Sequence, residues 1–318
     1  MKLLLAFLRL IRWPNLIFIA ITQWLFYFAV IASLRADKGA SFSNGSVGIL
    51  FWLLMLASIM IAAAGYIIND YFDMHIDAVN KPAKVVVDRT VKRRWAIVWH
   101  LVLSFLGILL SGLVSYKTGK WIIVIANIIC VLLLWFYSTT FKKKLLVGNI
   151  IIAALTTWVI VVIYFFAGAN IINYNGWPEG VQSIDFRRLY KFTILYAGFA
   201  FIVSLIREVV KDLEDMYGDA KYDCKTMPIV WGVPATKVFV AVWIVVCIGL
   251  LAIVQLYAWQ SGWWFSAIYS IILIIIPLGF ILKDLYKATL PSNYHRLSSL
   301  IKLVMLTGIL SMLFFKFS

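Results

Sequence analysis

The sequence predicts an all-α polytopic membrane protein. Hydrophobic residues make up 64% of the 318-residue chain, and only 14% of its residues are charged. This composition is far more apolar than that of ordinary soluble domains. The apolar residues form long continuous runs, whereas the strands of a membrane barrel would give short alternating segments. Both observations favour a bundle of membrane-spanning helices.

Nine apolar runs each approach the length that a helix needs to cross a bilayer, which is about 20 residues. The predicted spans are 15–34, 47–68, 96–115, 121–139, 147–167, 191–209, 237–257, 264–282 and 297–315. In the segment before the first span, MKLLLAFLRLIRWP, Arg9 and Arg12 interrupt the apolar stretch and no small-residue cleavage site follows. It therefore predicts an amphipathic segment on the membrane surface rather than a signal peptide.

The basic residues between the spans predict the orientation of the chain. With a cytoplasmic amino terminus, 21 of the 29 Lys and Arg residues lie on the cytoplasmic side and 8 on the other. Such an excess is typical of cytoplasmic loops. We therefore expect an integral protein of the cytoplasmic membrane with its carboxyl terminus outside. The formal net charge of +15 suits anionic membrane lipids or an anionic substrate, and nucleic acid is not expected as a partner.

Two acidic clusters follow the second and sixth spans, and they contain ten of the 14 Asp and Glu residues. Each contains the spacing D-x-x-D-x-x-x-D, which places three carboxylates on one face of a helix. The residues with this spacing are Asp70, Asp73, Asp77, Asp212, Asp215 and Asp219. Because the motifs lie four spans apart, we predict a single domain over 1–318 that contains two related halves, 47–167 and 191–316.

The repeated aspartates indicate a magnesium site. Carboxylates on one helix face repel each other, and each charge near hydrocarbon costs on the order of a few kcal/mol. A divalent cation would offset this cost, and Mg²⁺ prefers carboxylate, water and phosphate oxygens. Zinc is disfavoured because His75 stands alone, without a cluster of His and Cys. A solvated charge run is the alternative interpretation, and two identical copies at helix ends weigh against it.

Basic residues and an amide flank the aspartates. Acids that bind a metal, beside bases that bind phosphate, form the arrangement needed to hold a diphosphate. These flanking candidates are Asn69, Lys81, Lys84, Arg207, Lys211 and Lys225. The alternative role of the bases is to orient the chain in the membrane.

Four stretches resemble the UbiA superfamily of intramembrane prenyltransferases. They are NDYFDMHIDAVNKP, REVVKDLEDMYGDAKYDCKTMP, RWPN at 12–15 and YSTTFKKKLLVGN at 137–149. The resemblance implies nine transmembrane helices around a central cavity with a cytoplasmic cap. It also implies Asn15, Tyr137 and Lys142 as substrate-binding residues. Many members of this family have an Arg-Pro pair where this sequence has Lys84 and Val85.

The resemblance implies a reaction as well as a fold. This is Mg²⁺-dependent transfer of a prenyl group from a polyprenyl diphosphate to a lipophilic acceptor within the membrane. The second motif most resembles the digeranylgeranylglyceryl phosphate synthase branch, in which geranylgeranylglyceryl phosphate is the acceptor. Two alternatives stay open: prenylation of an aromatic quinone precursor (4-hydroxybenzoate or dihydroxynaphthoate), and cyclisation of the donor without an acceptor. A transporter is disfavoured, since its acids would lie near the membrane midplane.

Aromatic residues near the motifs are candidates to line the prenyl tail or to stabilise a cation. Ordinary packing is the alternative for each of them. These residues are Tyr66, Tyr71, Trp135 and Tyr137.

Overall fold

The computed structural model describes residues 2–34, 46–80, 82, 86–88, 90–168, 171–172, 178–179 and 184–316. These residues are predominantly helical. The helices are α1 (Lys2–Leu10), α2 (Trp13–Leu25), α3 (Ser46–Asn80), α4 (Arg93–Thr118), α5 (Trp121–Thr139), α6 (Val147–Ala167), α7 (Phe186–Lys221), α8 (Met227–Val230), α9 (Gly232–Gln260), α10 (Trp264–Ser270), α11 (Ile276–Lys287) and α12 (Pro291–Leu310).

Short irregular elements complete the described chain. The π-helical turns Phe26–Ile31 and Ile271–Ile275 extend α2 and connect α10 to α11. Short 3₁₀ turns lie at Phe141–Lys143 and Ser311–Lys316. Two antiparallel strands of two residues each pair Ile171 with Glu179 and Ile172 with Pro178; they are β1 (Ile171–Ile172) and β2 (Pro178–Glu179).

Nine helical segments of the described chain are long and apolar enough to cross a membrane. They are Trp13–Ile31, Gly48–Asn80, Arg93–Thr118, Trp121–Thr139, Val147–Ala167, Phe186–Lys221, Gly232–Gln260, Trp264–Lys287 and Pro291–Lys316. Each predicted span overlaps one of these segments, so the expected all-α membrane architecture is confirmed. The amino-terminal segment forms α1, which a two-residue turn separates from α2.

The second and sixth spans are longer than predicted, because α3 and α7 continue through the aspartate motifs. We expected apolar spans to end at residues 68 and 209, where hydropathy falls. The structure instead ends these helices at Asn80 and Lys221. The aspartates therefore lie on continuous helices rather than in the loops that follow.

The chain forms two compact units. The first contains Met1–Thr140 and Trp158–Ile194, and the second contains Phe141–Thr157 and Leu195–Ser318. The unit boundaries therefore cut through α6 and α7 and differ from the predicted halves 47–167 and 191–316. The single domain and its internal repeat stay predictions.

Close helix packing and buried aromatic rings hold the first unit together. A Cβ on Gly107 of α4 would lie 2.7 Å from Ile61 of α3 and 3.2 Å from the Ala57 carbonyl oxygen. The glycine thus allows the two helices to approach closely. Further along the unit, the buried ring of Tyr27 stacks on that of Phe51, with centroids 4.2 Å apart.

The second unit is built around the apolar faces of α7, α9, α11 and α12. Its core includes Val209, Ile244, Leu278, Leu285 and Ile301, all of which are almost fully buried. Packing on these faces leaves the remaining side of α7 for its acidic and basic residues.

Candidate active site

The first aspartate motif forms one face of α3 in the first unit. Asp73 is buried, at 3% exposure, while Asp70 and Asp77 are partly buried. The Asn69 side chain, one helical turn earlier, donates from Nδ2 to Asp73 Oδ2 over 2.6 Å. This hydrogen bond orients the most deeply buried carboxylate of the motif.

Arg12 is a site residue that sequence reasoning assigned only to membrane topology. It lies in the turn between α1 and α2 with a left-handed backbone, φ 50°. Its Nη2 donates to Asp70 Oδ1 over 2.6 Å, and the guanidinium lies 5.2 Å from the ring centroid of Tyr66. Burial disfavours its charged form and is the largest single influence on its pKa, but Asp70, Tyr66 and Asp77 together outweigh burial and raise the Arg12 pKa. The RWPN stretch was the sequence signal for this position.

The second aspartate motif forms one face of α7 in the second unit. Asp219 is buried, at 4% exposure, and Asp212 and Asp215 are partly buried. Asn149, near the start of α6, donates from Nδ2 to Asp212 Oδ2 over 2.8 Å. Asn149 ends the YSTTFKKKLLVGN stretch, which was the only sequence signal for a role here. An asparagine therefore orients one aspartate in each motif.

The predicted bases of the second unit lie beside this face. Arg207 Nη1 donates to Glu208 Oε1 over 3.1 Å, and Lys211 Nζ donates to both Glu208 oxygens over 3.0 and 3.1 Å. Glu208 thus holds the two cations together. Lys142 interacts electrostatically with Asp212. Lys225 is exposed, and its backbone N–H donates to the Lys143 carbonyl oxygen over 2.9 Å.

The other predicted residues occupy several environments. Lys81 and Lys84 lie outside the described residues. Asn15 and Tyr137 are partly buried in the first unit, and the Asn15 backbone N–H donates to the Arg12 carbonyl oxygen over 2.8 Å. The roles of all four in substrate binding stay predictions.

The aromatic candidates divide between two sides of α3. Tyr66 lies beneath Arg12, close to the aspartate face. Trp135 packs edge-on against Phe72, with centroids 5.9 Å apart. Phe72 is two residues from Asp70, about 200° around the helix. Trp135 therefore lies on the opposite side of α3 from Asp70, which favours a packing role.

The carboxylate and amide oxygens on these two helix faces suit Mg²⁺ better than a transition metal. Within the described ranges, no group of three or more His, Cys, Asp or Glu residues is placed to hold a metal ion. Mg²⁺ does not require such a group, since it is usually bound by one or two carboxylates, waters and substrate phosphate. Asn69 Oδ1 is buried without a hydrogen-bond partner in the described chain, and it would offer Mg²⁺ a further hard oxygen ligand next to Asp70 in sequence.

Comparison with known proteins identifies the family of this chain. Residues 24–303 match the UbiA prenyltransferase family. A digeranylgeranylglyceryl phosphate synthase from Methanoregula boonei is 30% identical over 248 residues, which cover 78% of this chain and 80% of the relative. A synthase of the same name from Saccharolobus solfataricus is 28% identical over 266 residues, covering 84% of each chain.

Solved structures share the fold. A UbiA homologue from Archaeoglobus fulgidus, bound to DMAPP and Mg²⁺, superposes with a TM-score of 0.57 at 18% identity. The match covers 96% of this chain and 98% of the homologue. By the family match, the sequence relatives and the shared helical fold, this chain belongs to the UbiA prenyltransferase family and is a membrane prenyltransferase.

Proposed function

We propose that this enzyme transfers a geranylgeranyl group from geranylgeranyl diphosphate to geranylgeranylglyceryl phosphate, in a reaction that depends on Mg²⁺. The observation that carries the proposal is the face of α7, where Asp212, Asp215 and Asp219 continue directly from the bases Arg207 and Lys211. Carboxylates for a metal and cations for phosphate thus share one helix. The sequence relatives named for this synthase support the choice of acceptor.

The two aspartate motifs would act on the same donor diphosphate. Asp70, Asp73 and Asp77 on α3 and Asp212, Asp215 and Asp219 on α7 would hold Mg²⁺. When bound, Mg²⁺ supplies positive charge that stabilises the departing diphosphate. The UbiA homologues solved with DMAPP and Mg²⁺ and with GPP and Mg²⁺ support this use of the metal.

Basic and polar residues would bind the remaining phosphate oxygens. In the first unit Arg12 already bonds to Asp70, so it would be placed to contact a diphosphate if Asp70 helped to hold the Mg²⁺ that binds it. Positively charged donors of this kind bind phosphate by charge-assisted hydrogen bonds. The other proposed contacts are Asn15, Asn69, Lys81, Lys84, Tyr137, Lys142, Arg207, Lys211 and Lys225.

The transfer forms one carbon–oxygen bond and breaks another. The bond between carbon 1 of the allylic donor and the diphosphate oxygen breaks, and its electron pair leaves with the diphosphate. The acceptor hydroxyl oxygen then bonds to carbon 1 and loses its proton, which gives an ether and free diphosphate. Apolar membrane helices suit this chemistry because they hold the hydrocarbon tail and keep water from the allylic cation.

The acceptor is tested with purified full-length protein, Mg²⁺ and geranylgeranyl diphosphate. Geranylgeranylglyceryl phosphate, 4-hydroxybenzoate and dihydroxynaphthoate are supplied separately, and products are identified by mass spectrometry. We expect an ether product with the phosphorylated lipid alone. A product only with an aromatic acceptor, or a cyclic product without any acceptor, would reject the proposal.

The metal site is tested by a matched pair of substitutions, one within the second aspartate motif and one just after α7. Asp212→Asn should lower kcat/KM by roughly two to three orders of magnitude, as does the loss of other groups that stabilise developing charge. Asp223→Asn removes the same charge from an exposed position with φ 56°, a conformation that Asn tolerates, and should leave kcat/KM unchanged. Equal activity of the two variants would contradict the assignment.

A further inference from the structure

Gln23 is a buried polar residue within the first apolar span. It is 0% exposed and lies near the middle of the segment Trp13–Ile31. Its Nε2 donates to Ser58 Oγ on α3 over 3.0 Å and to the Val159 carbonyl oxygen on α6 over 3.1 Å. All three residues belong to the first unit. One side chain thus joins α2 to two other helices by hydrogen bonds.

The Gln23 amide is only partly satisfied. Its Oε1 is buried and has no hydrogen-bond partner in the part of the chain that the structure describes. The amide cannot turn over to correct this, because the Val159 carbonyl oxygen only accepts, and the Ser58 hydroxyl already donates to the Leu54 carbonyl oxygen over 3.1 Å. An unpaired buried carbonyl lowers stability, and an apolar residue of similar size would avoid that loss. In helix bundles a buried polar residue can fix the register of the helices at a cost in stability.

The Gln23–Ser58 contact and the Arg12–Asp70 contact require the same register of α2 on α3. Residue numbers rise along α2 as they fall along α3, so the two helices run antiparallel. Gln23 follows Arg12 by 11 residues, and Ser58 precedes Asp70 by 12. These separations correspond to about 16.5 and 18 Å of helix. A slip of one residue moves a side chain by about 1.5 Å along the axis and about 100° around it. Such a slip would break the 2.6 Å bond from Arg12 to Asp70.

We propose that Gln23 is a positioning residue, which fixes the register of α2 on α3 and thereby holds Arg12 on Asp70. The inference rests on the proposed function, in which Arg12 and Asp70 act on the donor diphosphate and its Mg²⁺. Gln23 itself touches no reacting group, because about 16.5 Å of helix separates it from Arg12. No sequence motif pointed to Gln23, which lies within an apolar run.

The position of Arg12 follows from the position of α2. Arg12 directly precedes this helix, in the turn with a left-handed backbone, φ 50°. A residue with a side chain adopts that conformation at a cost. Its long side chain also loses rotamer freedom when the guanidinium is held at one carboxylate. A fixed register of α2 offsets these costs, since it keeps the start of the helix, and hence the turn, level with Asp70.

The first test measures kinetics and Tm of purified full-length protein with Mg²⁺, geranylgeranyl diphosphate and geranylgeranylglyceryl phosphate. Gln23→Met should raise KM for the donor by roughly threefold to tenfold, as expected for residues in one network, with a change in kcat of less than about twofold. Its Tm should equal or exceed that of wild type, because the unpaired carbonyl is removed. The control is Thr22→Val at the adjacent buried position, where Oγ1 donates within its own helix to the Phe18 carbonyl oxygen over 2.7 Å. Thr22→Val should keep the wild-type KM for the donor.

A double-mutant cycle shows whether Gln23 acts through Arg12. Arg12→Asn removes the guanidinium, and Asn tolerates the left-handed backbone of the turn. In that background Gln23→Met should change KM for the donor by less than about twofold. An equal rise in KM in both backgrounds would overturn the proposal. So would a fall in Tm of Gln23→Met together with a matching loss of kcat, which would assign Gln23 to packing alone.

The second test separates the role of Gln23 from the proposed reaction. Thermal unfolding is measured without any prenyl substrate, in the presence of Mg²⁺ and inorganic diphosphate. The two ligands together should raise Tm of wild type and Thr22→Val, and raise it less for Gln23→Met and Arg12→Asn. If geranylgeranylglyceryl phosphate is not a substrate but this pattern holds, the proposed acceptor fails and the role of Gln23 stands. If Gln23→Met shifted as much as wild type while Arg12→Asn did not, Gln23 would not position Arg12, whatever the acceptor.

Discussion

At the scale of single residues, two asparagines each donate a hydrogen bond that orients an aspartate carboxylate, one within its own helix and one from a different helix. Asn69 reaches Asp73 within the same helix, four residues away. Asn149 reaches Asp212 from another helix, across 63 positions of sequence. In each case an amide N–H fixes the orientation of a carboxylate that would otherwise be repelled by its acidic neighbours. A hydrogen bond to a charged group contributes about 1.5–3 kcal/mol.

Asn149→Ala should therefore lower kcat/KM by roughly tenfold to a hundredfold, the loss that corresponds to one such hydrogen bond. The Mg²⁺ concentration for half-maximal activity should also rise, because Asp212 is no longer oriented. Both quantities are measured by turnover of purified protein in a magnesium titration. The control is Ile150→Ala at the adjacent, exposed position. If Asn149→Ala and Ile150→Ala gave the same magnesium dependence, the hydrogen bond would have no part in binding the metal.

At the scale of helices, length decides where the acids lie. Helices α3 and α7 contain 35 and 36 residues, which correspond to about 52 and 54 Å of helix. The hydrocarbon core is only about 30 Å thick. An apolar span and a polar extension are therefore combined in one rigid element, and each aspartate motif lies in its polar part. A motif on a helix is held more firmly than one on a loop.

Helix packing in the first unit gives a second prediction at this scale. Gly107→Ala should lower Tm, because the new Cβ would lie 2.7 Å from Ile61 and 3.2 Å from a backbone oxygen of α3. Overpacking of this kind costs about 1–3 kcal/mol. On the same helix, a Cβ at Gly112 would meet its nearest neighbour at 4.0 Å, so Gly112→Ala should keep the wild-type Tm. The Tm values of the two variants and of wild type are measured by thermal unfolding of the purified proteins in detergent. Equal Tm values would show that α3 and α4 can move apart with little loss of stability.

At the scale of the whole molecule, each compact unit carries the same set of chemical groups. The first unit has an aspartate face with Asn69 and Arg12 bonded to it. The second has an aspartate face with Asn149 bonded to it and Arg207 and Lys211 alongside. This similarity supports the proposed internal repeat, although the unit boundaries fall within α6 and α7 rather than between predicted halves.

The proposed orientation of the chain is tested by labelling cysteines in intact cells. The three native cysteines are buried, so they should give little background. With a cytoplasmic amino terminus, Ser261→Cys in the turn after α9 should react with a membrane-impermeant thiol reagent. Lys144→Cys, also exposed, should react only after the membrane is permeabilised. If Lys144→Cys were labelled in intact cells and Ser261→Cys were not, the chain would have the opposite orientation.

The sequence by itself determined the membrane class, the nine spans, the two aspartate faces and the family. Bilayer thickness sets the length of an apolar run, and the helical period sets which aspartates share a face, so both are local properties of the chain. Only the tertiary structure decided that Arg12 bonds to Asp70 and that Asn149 bonds to Asp212. These partners come from different helices, and their meeting depends on how helices pack and in which register. No local pattern of residues specifies that packing, because an arginine that binds a carboxylate and one that orients a membrane protein look the same in sequence.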